Sequence, residues 1–302
     1  MTQKDKTMKV IFVCTGNTCR SPMAKVLFRK LLRDRGIDLI EVDSAGLACY
    51  AGEEASPHAV EAMRERGLDL SDHRSRPCSA YLLQEGVFVG MTEAHCRVLQ
   101  PYLPPERLML LGSGIPDPYG GSLEDYRACA ARIEQTLPAV LRKVVCENTV
   151  IMPMAVKHID DIAALEQECF STPWSKQSLE EELTNEAAHF LTAVFDGRVI
   201  GYLGILEISG ESDITNVAVS PAYRRLGVAD KLLDTAVTEA KTRGDEWITL
   251  EVRESNKAAQ ALYQKHGFAP IGERISFYTK PVENAVLMRK LLREKQDEDI
   301  SH

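Results

Sequence analysis

Along the first half of the chain, apolar residues switch repeatedly between two spacings. "MKVIFVC" (Met8–Cys14) is the short, nearly continuous apolar run that a strand buried on both faces needs. Ala24, Leu27, Phe28, Leu31 and Leu32 then recur at helical spacing with Gly36 as a stop, which predicts a core-facing helix carrying Pro22 in its first turn. The alternation continues with strands in "IEVDSAG", "GVFVGM" and "RLMLLG". Between them, "SPHAVEAMRERG", "TEAHCRVLQPYL" and "SLEDYRACAARIEQTLPAVLRKV" read as helices. Strands alternating with helices predict an α/β unit, Rossmann-like, with four parallel strands covered on both faces. Such sheets bind ligands beyond the carboxyl ends of their strands.

Around "CENTVIMPM" (Cys146–Met154) the pattern restarts. A new strand leads into helical "IDDIAALEQECF" and "SKQSLEEELTNE", then into two strand runs in "HFLTAVFDGRVIGYLGILEI", turned at Asp196-Gly197. Further on, "SDITNVAV", "WITLEV", "GERISFY" and "AVLMRKL" read as strands, and "VADKLLDTAVTEAKTRG" and "NKAAQALYQKHG" as helices. The second half is therefore expected to be an α/β unit with a mixed sheet. The boundary is expected within 142–152, giving domains at 8–145 and 150–302. The polar tail "REKQDEDISH" is expected to fray.

Length agrees with two domains, since 302 residues exceed the usual single domain and each half can bury a core. No apolar run approaches the roughly 18 residues of a membrane span, and the amino-terminal stretch does not read as a signal peptide. The expected location is the cytoplasm, without membrane contact. Charge divides unevenly: residues 1–147 hold 19 Lys+Arg against 19 Asp+Glu, so the second half carries the whole net charge of −8. That acidic surface disfavours a nucleic-acid partner; it reads first as an ordinary soluble surface, with a basic protein substrate as the alternative. Eight cysteines lie scattered without Cys-x-x-Cys pairs, and the seven histidines show no metal spacing, so neither a disulfide framework nor a metal is expected.

Chemistry concentrates in "CTGNTCRS" (Cys14–Ser21), where a strand gives way to a helix. A loop in that position aims successive backbone N–H groups and the helix dipole at one point. Cys14 at its start is placed to act as a thiolate, and Arg20 to hold two phosphate oxygens in a fork. Gly16 and Asn17 allow the unusual backbone angles that such a ring needs, Thr15 and Thr18 complete it, and Ser21 can donate to the sulfur. The constellation predicts nucleophilic attack on phosphorus through a cysteinyl-phosphate. A leaving group then needs a proton, and Asp117 in "IPDPYGGS" is the candidate donor.

"VCTGNTCRSPMA" followed about a hundred residues later by "DPYGG" resembles the low-molecular-weight protein phosphatase family over nearly all of residues 8–145. The resemblance implies Cys14 as nucleophile, Arg20 as phosphate binder and Asp117 as general acid. It extends to "SAG" and "MTEAH". Thr18 and "DPYGGS" look like the protein-arginine phosphatase branch, because tyrosine-specific members carry a large aliphatic residue at the position of Thr18. Phosphotyrosine stays open as the alternative. Related arsenate reductases need two closely spaced further cysteines, whereas Cys78 and Cys96 lie far apart in sequence. By the same resemblance Cys19 is a resolving thiol for Cys14; the alternative is a loop-packing residue.

The second dense signal is "VAVSPAYRRLGVADKLL". After the strand ending at Val219, Arg224–Ala229 precedes an amphipathic helix; Gly227 lets the backbone approach an anion and the helix terminus supplies N–H groups. With "LEVRESNKAAQALYQKHGF" downstream the region resembles the GNAT acetyltransferase superfamily over about 150–291. "CFSTPWS", "DITNVAV" and Phe277-Tyr278 make it similar to the ribosomal-protein-alanine N-acetyltransferases. Acetyl-CoA is the implied cofactor and a ribosomal protein amino terminus the implied partner, beside a phosphoprotein substrate for the first domain. The resemblance implies Glu251 as base and Tyr263 as the acid for a departing thiolate. Cofactor contacts would come from Val217, Ala218, Val219, Arg224, Arg225, Leu226, Gly227, Val228, Ala229, Asp230 and Asn256. Ala229 departs from the commoner glycine, and Asn284 from a frequent acidic residue. A bifunctional enzyme is the expectation. The alternatives are a tyrosine phosphatase joined to a GNAT of other substrate, and a chain in which one domain is a non-catalytic sensor.

Overall fold

The computed structural model describes residues 7–293, so nearly all of the polar tail expected to fray lies outside the described residues. The chain divides into two compact units between Glu147 and Asn148.

In the first unit, β1 (Met8–Cys14) leads into α1 (Arg20–Arg35), β2 (Ile40–Gly46) and α2 (Pro57–Arg64). These are followed by β3 (Val87–Gly90), α3 (Glu93–Leu99), β4 (Leu108–Leu110) and α4 (Leu123–Asn148). The four strands form one parallel sheet in the order β2-β1-β3-β4. Val10 to Val13 on the central strand are fully buried. Phe12 meets Phe28 of α1 edge to face at 5.5 Å, and each such ring contributes about 2 kcal/mol through burial. Gly36 closes α1 in the left-handed conformation, as its position predicts. The helix expected through "TEAHCRVLQPYL" is shorter: α3 ends at Leu99 and a 3-10 turn covers Gln100–Tyr102. Pro101 has no N–H to continue the ladder.

In the second unit, β5 (Thr149–Pro153), α5 (Ile159–Cys169), α6 (Lys176–Glu181), β6 (Leu191–Phe195) and β7 (Arg198–Ile208) come first. They are followed by β8 (Glu211–Val219), α7 (Val228–Arg243), β9 (Trp247–Arg253), α8 (Lys257–Lys265), β10 (Ala269–Thr279) and β11 (Val282–Leu291). The sheet runs β10-β11-β9-β8-β7-β6-β5 and is mixed, because β8 and β9 are parallel while the other neighbours are antiparallel. Asp196 (φ 48°) and Gly197 (φ 80°) make the expected tight hairpin between β6 and β7. On one face Ile159, Ile162 and Leu165 of α5 pack with Leu179, Phe190 and Tyr202.

The parallel register of β8 with β9 ends at Ile214↔Leu250, yet β8 runs on to Val219 and β9 to Arg253. Beyond that point the two strands part and leave a notch at the middle of the sheet. Among the described residues no helix is long and apolar enough to cross a membrane. None of their His, Cys, Asp and Glu side chains gather in groups of three or more as metal ligands would.

Candidate functional site

The first site lies beyond the carboxyl end of β1, in the loop between Cys14 and Arg20. Cys14 is buried, and its Sγ accepts a hydrogen bond from the Asn17 N–H at 3.2 Å and lies 3.0 Å from Ser21 Oγ. The left-handed conformation in this loop falls on Asn17 (φ 53°), whereas Gly16 has no positive φ. A Cβ on Gly16 would make only an ordinary contact of 3.4 Å with Thr18 Oγ1. The expectation that Gly16 supplies unusual backbone angles is thus corrected.

Asn17 tolerates the strain because it is bonded on every side. Its Nδ2 donates to Ser21 Oγ (2.9 Å) and Ser44 Oγ (3.0 Å), and its Oδ1 accepts from the Arg76 N–H (2.8 Å). Its carbonyl lies 2.7 Å from His73 Nε2. Gly46 makes the close approach of β2 possible, since a Cβ there would fall 2.8 Å from the Thr15 carbonyl. Replacing Asn17 by Ala would remove three side-chain hydrogen bonds, two of them to the buried Ser21 and Ser44. We expect the first unit to lose about 3 kcal/mol, read as a lower urea midpoint for phosphatase turnover.

Arg20 projects from the start of α1 into the same place. Its Nη1 donates to the Ile115 carbonyl at 3.2 Å, Nη2 pairs with Asp117 Oδ2, and the buried Nε has no hydrogen-bond partner. Asp117 is half exposed at the rim, and its Oδ1 accepts from the Tyr119 N–H at 3.3 Å. Cys14, Thr18, Arg20, Asp117 and Tyr119 line one cavity of about 660 Å³, together with Glu53 and neighbouring residues. Cys19 is buried, with its Sγ 3.3 Å from Tyr126 Oη, and both Cys14 and Cys19 are free thiols. Sequence reasoning missed His95, whose Nε2 meets Thr15 Oγ1 at 3.0 Å and whose Nδ1 meets Thr92 Oγ1 at 2.8 Å. Burial, helped by nearby Arg20, pushes its pKa down, so it holds Thr15 as a neutral ring. The signal that could have found it was the histidine in "MTEAH".

The second site surrounds the notch between β8 and β9. Arg225 (φ 66°) and Gly227 (φ 90°) bend the loop before α7, and Gly227 caps that helix without a side-chain hydrogen bond. The first-turn N–H groups of α7 therefore have no side-chain cap. Leu226 and Val228 are buried anchors. Arg224 Nε donates to the Val219 carbonyl at 3.0 Å. Val217, Ala218 and Val219 lie on the stretch of β8 that β9 has left, and Ala229 lies in the first turn of α7.

Two expected cofactor contacts point elsewhere. The Asp230 carboxylate pairs with Lys265 and with His266 Nε2 (3.1 Å) of the α8 end, and Asn256 Oδ1 caps α8 by accepting from the Ala259 N–H at 3.1 Å. In both cases the side chain is spent on structure.

Glu251 sits on the mixed sheet face that also carries Asp213 and Thr249, since Asp213 is paired with Thr249 in register and Glu251 lies two residues on. Thr249 Oγ1 donates to Asp213 Oδ1 at 2.7 Å, and Arg274 of β10 reaches Glu251 Oε1 at 3.0 Å. Burial raises the Glu251 pKa first, and neighbouring Asp213 adds to it; Arg274 opposes both. Tyr278 Oη donates to the Glu251 carbonyl at 3.3 Å, and Arg253 stacks 4.1 Å above the Tyr278 ring. Tyr263 is buried against Phe268, and burial pushes its pKa well above the usual phenol value. Sequence reasoning also missed Glu166 of α5, fully buried and bonded by Tyr202 Oη, by Asn216 Nδ2 (3.1 Å) and by the Trp174 N–H (2.6 Å). It ties α5 and the loop after it to the edge of the notch.

A thiol–arginine–aspartate cradle and a splayed β-sheet notch define two enzyme classes, and the comparisons agree. Residues 9–150 match the low molecular weight phosphotyrosine protein phosphatase family, and residues 159–268 the acetyltransferase (GNAT) family. A protein-arginine-phosphatase of Bacillus subtilis is 33% identical over 147 residues, spanning 45% of this chain and 97% of the relative. A low molecular weight protein-tyrosine-phosphatase of Streptomyces coelicolor is 34% identical over 155 residues, spanning 46% and 94%. A ribosomal protein bS18-alanine N-acetyltransferase of Haemophilus ducreyi is 36% identical over 129 residues, spanning 41% and 87%. The chain belongs to the low molecular weight phosphatase family through its first half and to the GNAT acetyltransferase family through its second. It is a bifunctional enzyme that unites a phosphatase with an acetyltransferase.

Proposed function

We propose that residues 8–145 hydrolyse phosphoarginine in proteins and that residues 150–302 acetylate the amino-terminal alanine of a ribosomal protein. The observation that carries the first part is the buried Arg20 guanidinium, whose Nε lacks a partner at the mouth of a cavity that also holds Cys14 Sγ. A phosphate there satisfies Nε and displaces Asp117 from Arg20, which frees the carboxyl for proton transfer. The Cys14 thiolate attacks phosphorus, the bond from phosphorus to the guanidino nitrogen breaks, and Asp117 protonates that nitrogen. Water then attacks the cysteinyl-phosphate, Asp117 takes its proton, and inorganic phosphate leaves with Cys14 again a thiolate.

Thr18 favours phosphoarginine because it gives the cavity a small polar wall where a large aliphatic side chain would pack against a phenyl ring. The Bacillus relative named as a protein-arginine-phosphatase supports the same reading. Phosphoarginine and phosphotyrosine peptides assayed side by side test it. Phosphoarginine should be preferred at least about tenfold in kcat/KM, equivalent to about 1.4 kcal/mol, and Thr18→Ile should shrink that preference. A preference for phosphotyrosine in the unaltered chain would overturn the assignment.

In the second domain, the uncapped N–H groups of α7 and the freed backbone of Val217–Val219 fit the pyrophosphate and pantetheine arm of acetyl-CoA, with Arg224 and Arg225 beside them. Bound there, acetyl-CoA would supply an activated acyl group. Glu251 takes a proton from the acceptor α-ammonium, since only the free amine is a nucleophile. Tyr263 keeps its own proton at Oη, as a donor to a departing thiolate must.

A further inference from the structure

The wall of the phosphatase cavity facing the bulk carries a residue that the reaction above does not use. Glu53 precedes α2, and its main chain is clamped from both sides by buried Ser75. The Glu53 N–H donates to Ser75 Oγ at 2.9 Å, and its carbonyl accepts from the Ser75 N–H at 2.8 Å. Ser75 Oγ in turn donates to the Tyr50 carbonyl at 2.6 Å. The backbone of residue 53 is thus fixed, and Glu53 lines the cavity with Cys14, Thr18 and Arg20.

Among the described residues the Glu53 carboxylate makes no hydrogen bond or ion pair. Its neighbour Glu54, which lines the same cavity, is engaged by Arg74 at 3.2 Å. An anionic group held on the wall of a pocket built for a dianion is unfavourable for binding the phosphate alone. It becomes favourable only when the substrate brings positive charge and N–H donors next to its phosphorus. A phosphorylated guanidinium does so, and its planar fork of N–H groups matches a carboxylate. A phosphorylated phenol offers an uncharged ring with no donor.

We propose that Glu53 is a specificity-determining residue of the phosphatase site, binding the guanidinium nitrogens of a phosphoarginine side chain. The assignment rests on the phosphoarginine reading above and adds to it a selector on the wall, distinct from Thr18 within the loop. In this arrangement Arg20 and the loop N–H groups hold the phosphate, and Glu53 holds the cationic portion that follows it.

The test uses the full chain with phosphoarginine and phosphotyrosine peptides of one sequence, comparing wild type with Glu53→Gln and Glu53→Lys. Glu53→Gln should cut kcat/KM for the phosphoarginine peptide by roughly two- to fivefold, the scale of one exposed charged contact. The loss should reside in KM, with no matching loss on the phosphotyrosine peptide. Glu53→Lys should deepen it, and raised salt should erode the wild-type preference more than that of Glu53→Gln. Residue 53 is exposed, and phosphotyrosine turnover reports an intact nucleophile in each variant. A wild-type preference for phosphoarginine that survives both substitutions would overturn the role of Glu53 alone. A wild-type preference for phosphotyrosine would overturn the parent reading and this assignment together.

Discussion

Cys14→Ser should lower phosphatase turnover by at least about a thousandfold, which is about 4 kcal/mol of transition-state stabilisation. The exchange keeps the shape of a side chain that is only 2% exposed, so the loop should survive it. What is lost is the nucleophile: a serine hydroxyl stays protonated near neutral pH, while a thiol yields its anion readily. Among the described residues the sulfur has hydrogen-bond partners only in Asn17 and Ser21, neither of which is a base that could activate a serine. The Asn17 N–H donates to the sulfur and the Ser21 hydroxyl lies 3.0 Å from it. Acetylation measured on the same preparation reports that the protein is folded. Phosphatase turnover near the wild-type rate would dismiss Cys14 as the nucleophile.

Glu251→Gln should lower acetylation of an alanine-terminated ribosomal peptide by about a hundredfold or more near neutral pH, the usual scale for losing a general base. Burial and the neighbouring Asp213 raise the Glu251 pKa, and Arg274 opposes them. A raised carboxyl pKa brings the base closer to the pH at which it works. Because the base must be unprotonated to act, wild-type kcat/KM should rise with pH through the Glu251 pKa and then level off. In the variant that rise should disappear. Its residual rate should instead climb toward alkaline pH as more acceptor amine loses its proton unaided, so the deficit narrows there. An unchanged profile would remove Glu251 from the reaction.

Both predictions concern residues that were legible along the chain, but the surroundings that explain them were less so. Cys14, Arg20 and Ser21 act within one strand–loop–helix connection, where spacing and backbone direction go together. Asp117 lies 97 residues beyond Arg20, and spacing alone could not have chosen it among other turn aspartates; the family resemblance did. Gly16 was expected to carry the strained conformation of the loop, yet Asn17 carries it. The compensation for Asn17 comes from Ser44, His73 and Arg76, which reach the loop from two other segments.

In the second domain the loop before α7 was readable because Gly227 and the following helical pattern are neighbours in sequence. Asp230 and Asn256 were expected to serve a cofactor, and their side chains are instead drawn to the end of α8 and to its cap. Asp213 and Arg274 gave no signal at all, since their link to Glu251 exists only through the pairing of β8 with β9 and the reach of β10.

By itself the sequence determined what depends on period and on nearest neighbours: two α/β domains, the strand-to-helix loop that carries Cys14 and Arg20, and the glycine-led start of α7. Tertiary structure decided what depends on which strands lie side by side. It parted β8 from β9, placed Glu53 on the wall of the Cys14 cavity and set Asp213 beside Glu251. The physical reason is that hydrogen-bond register and side-chain burial act between segments far apart in the chain, where no local pattern records the partner.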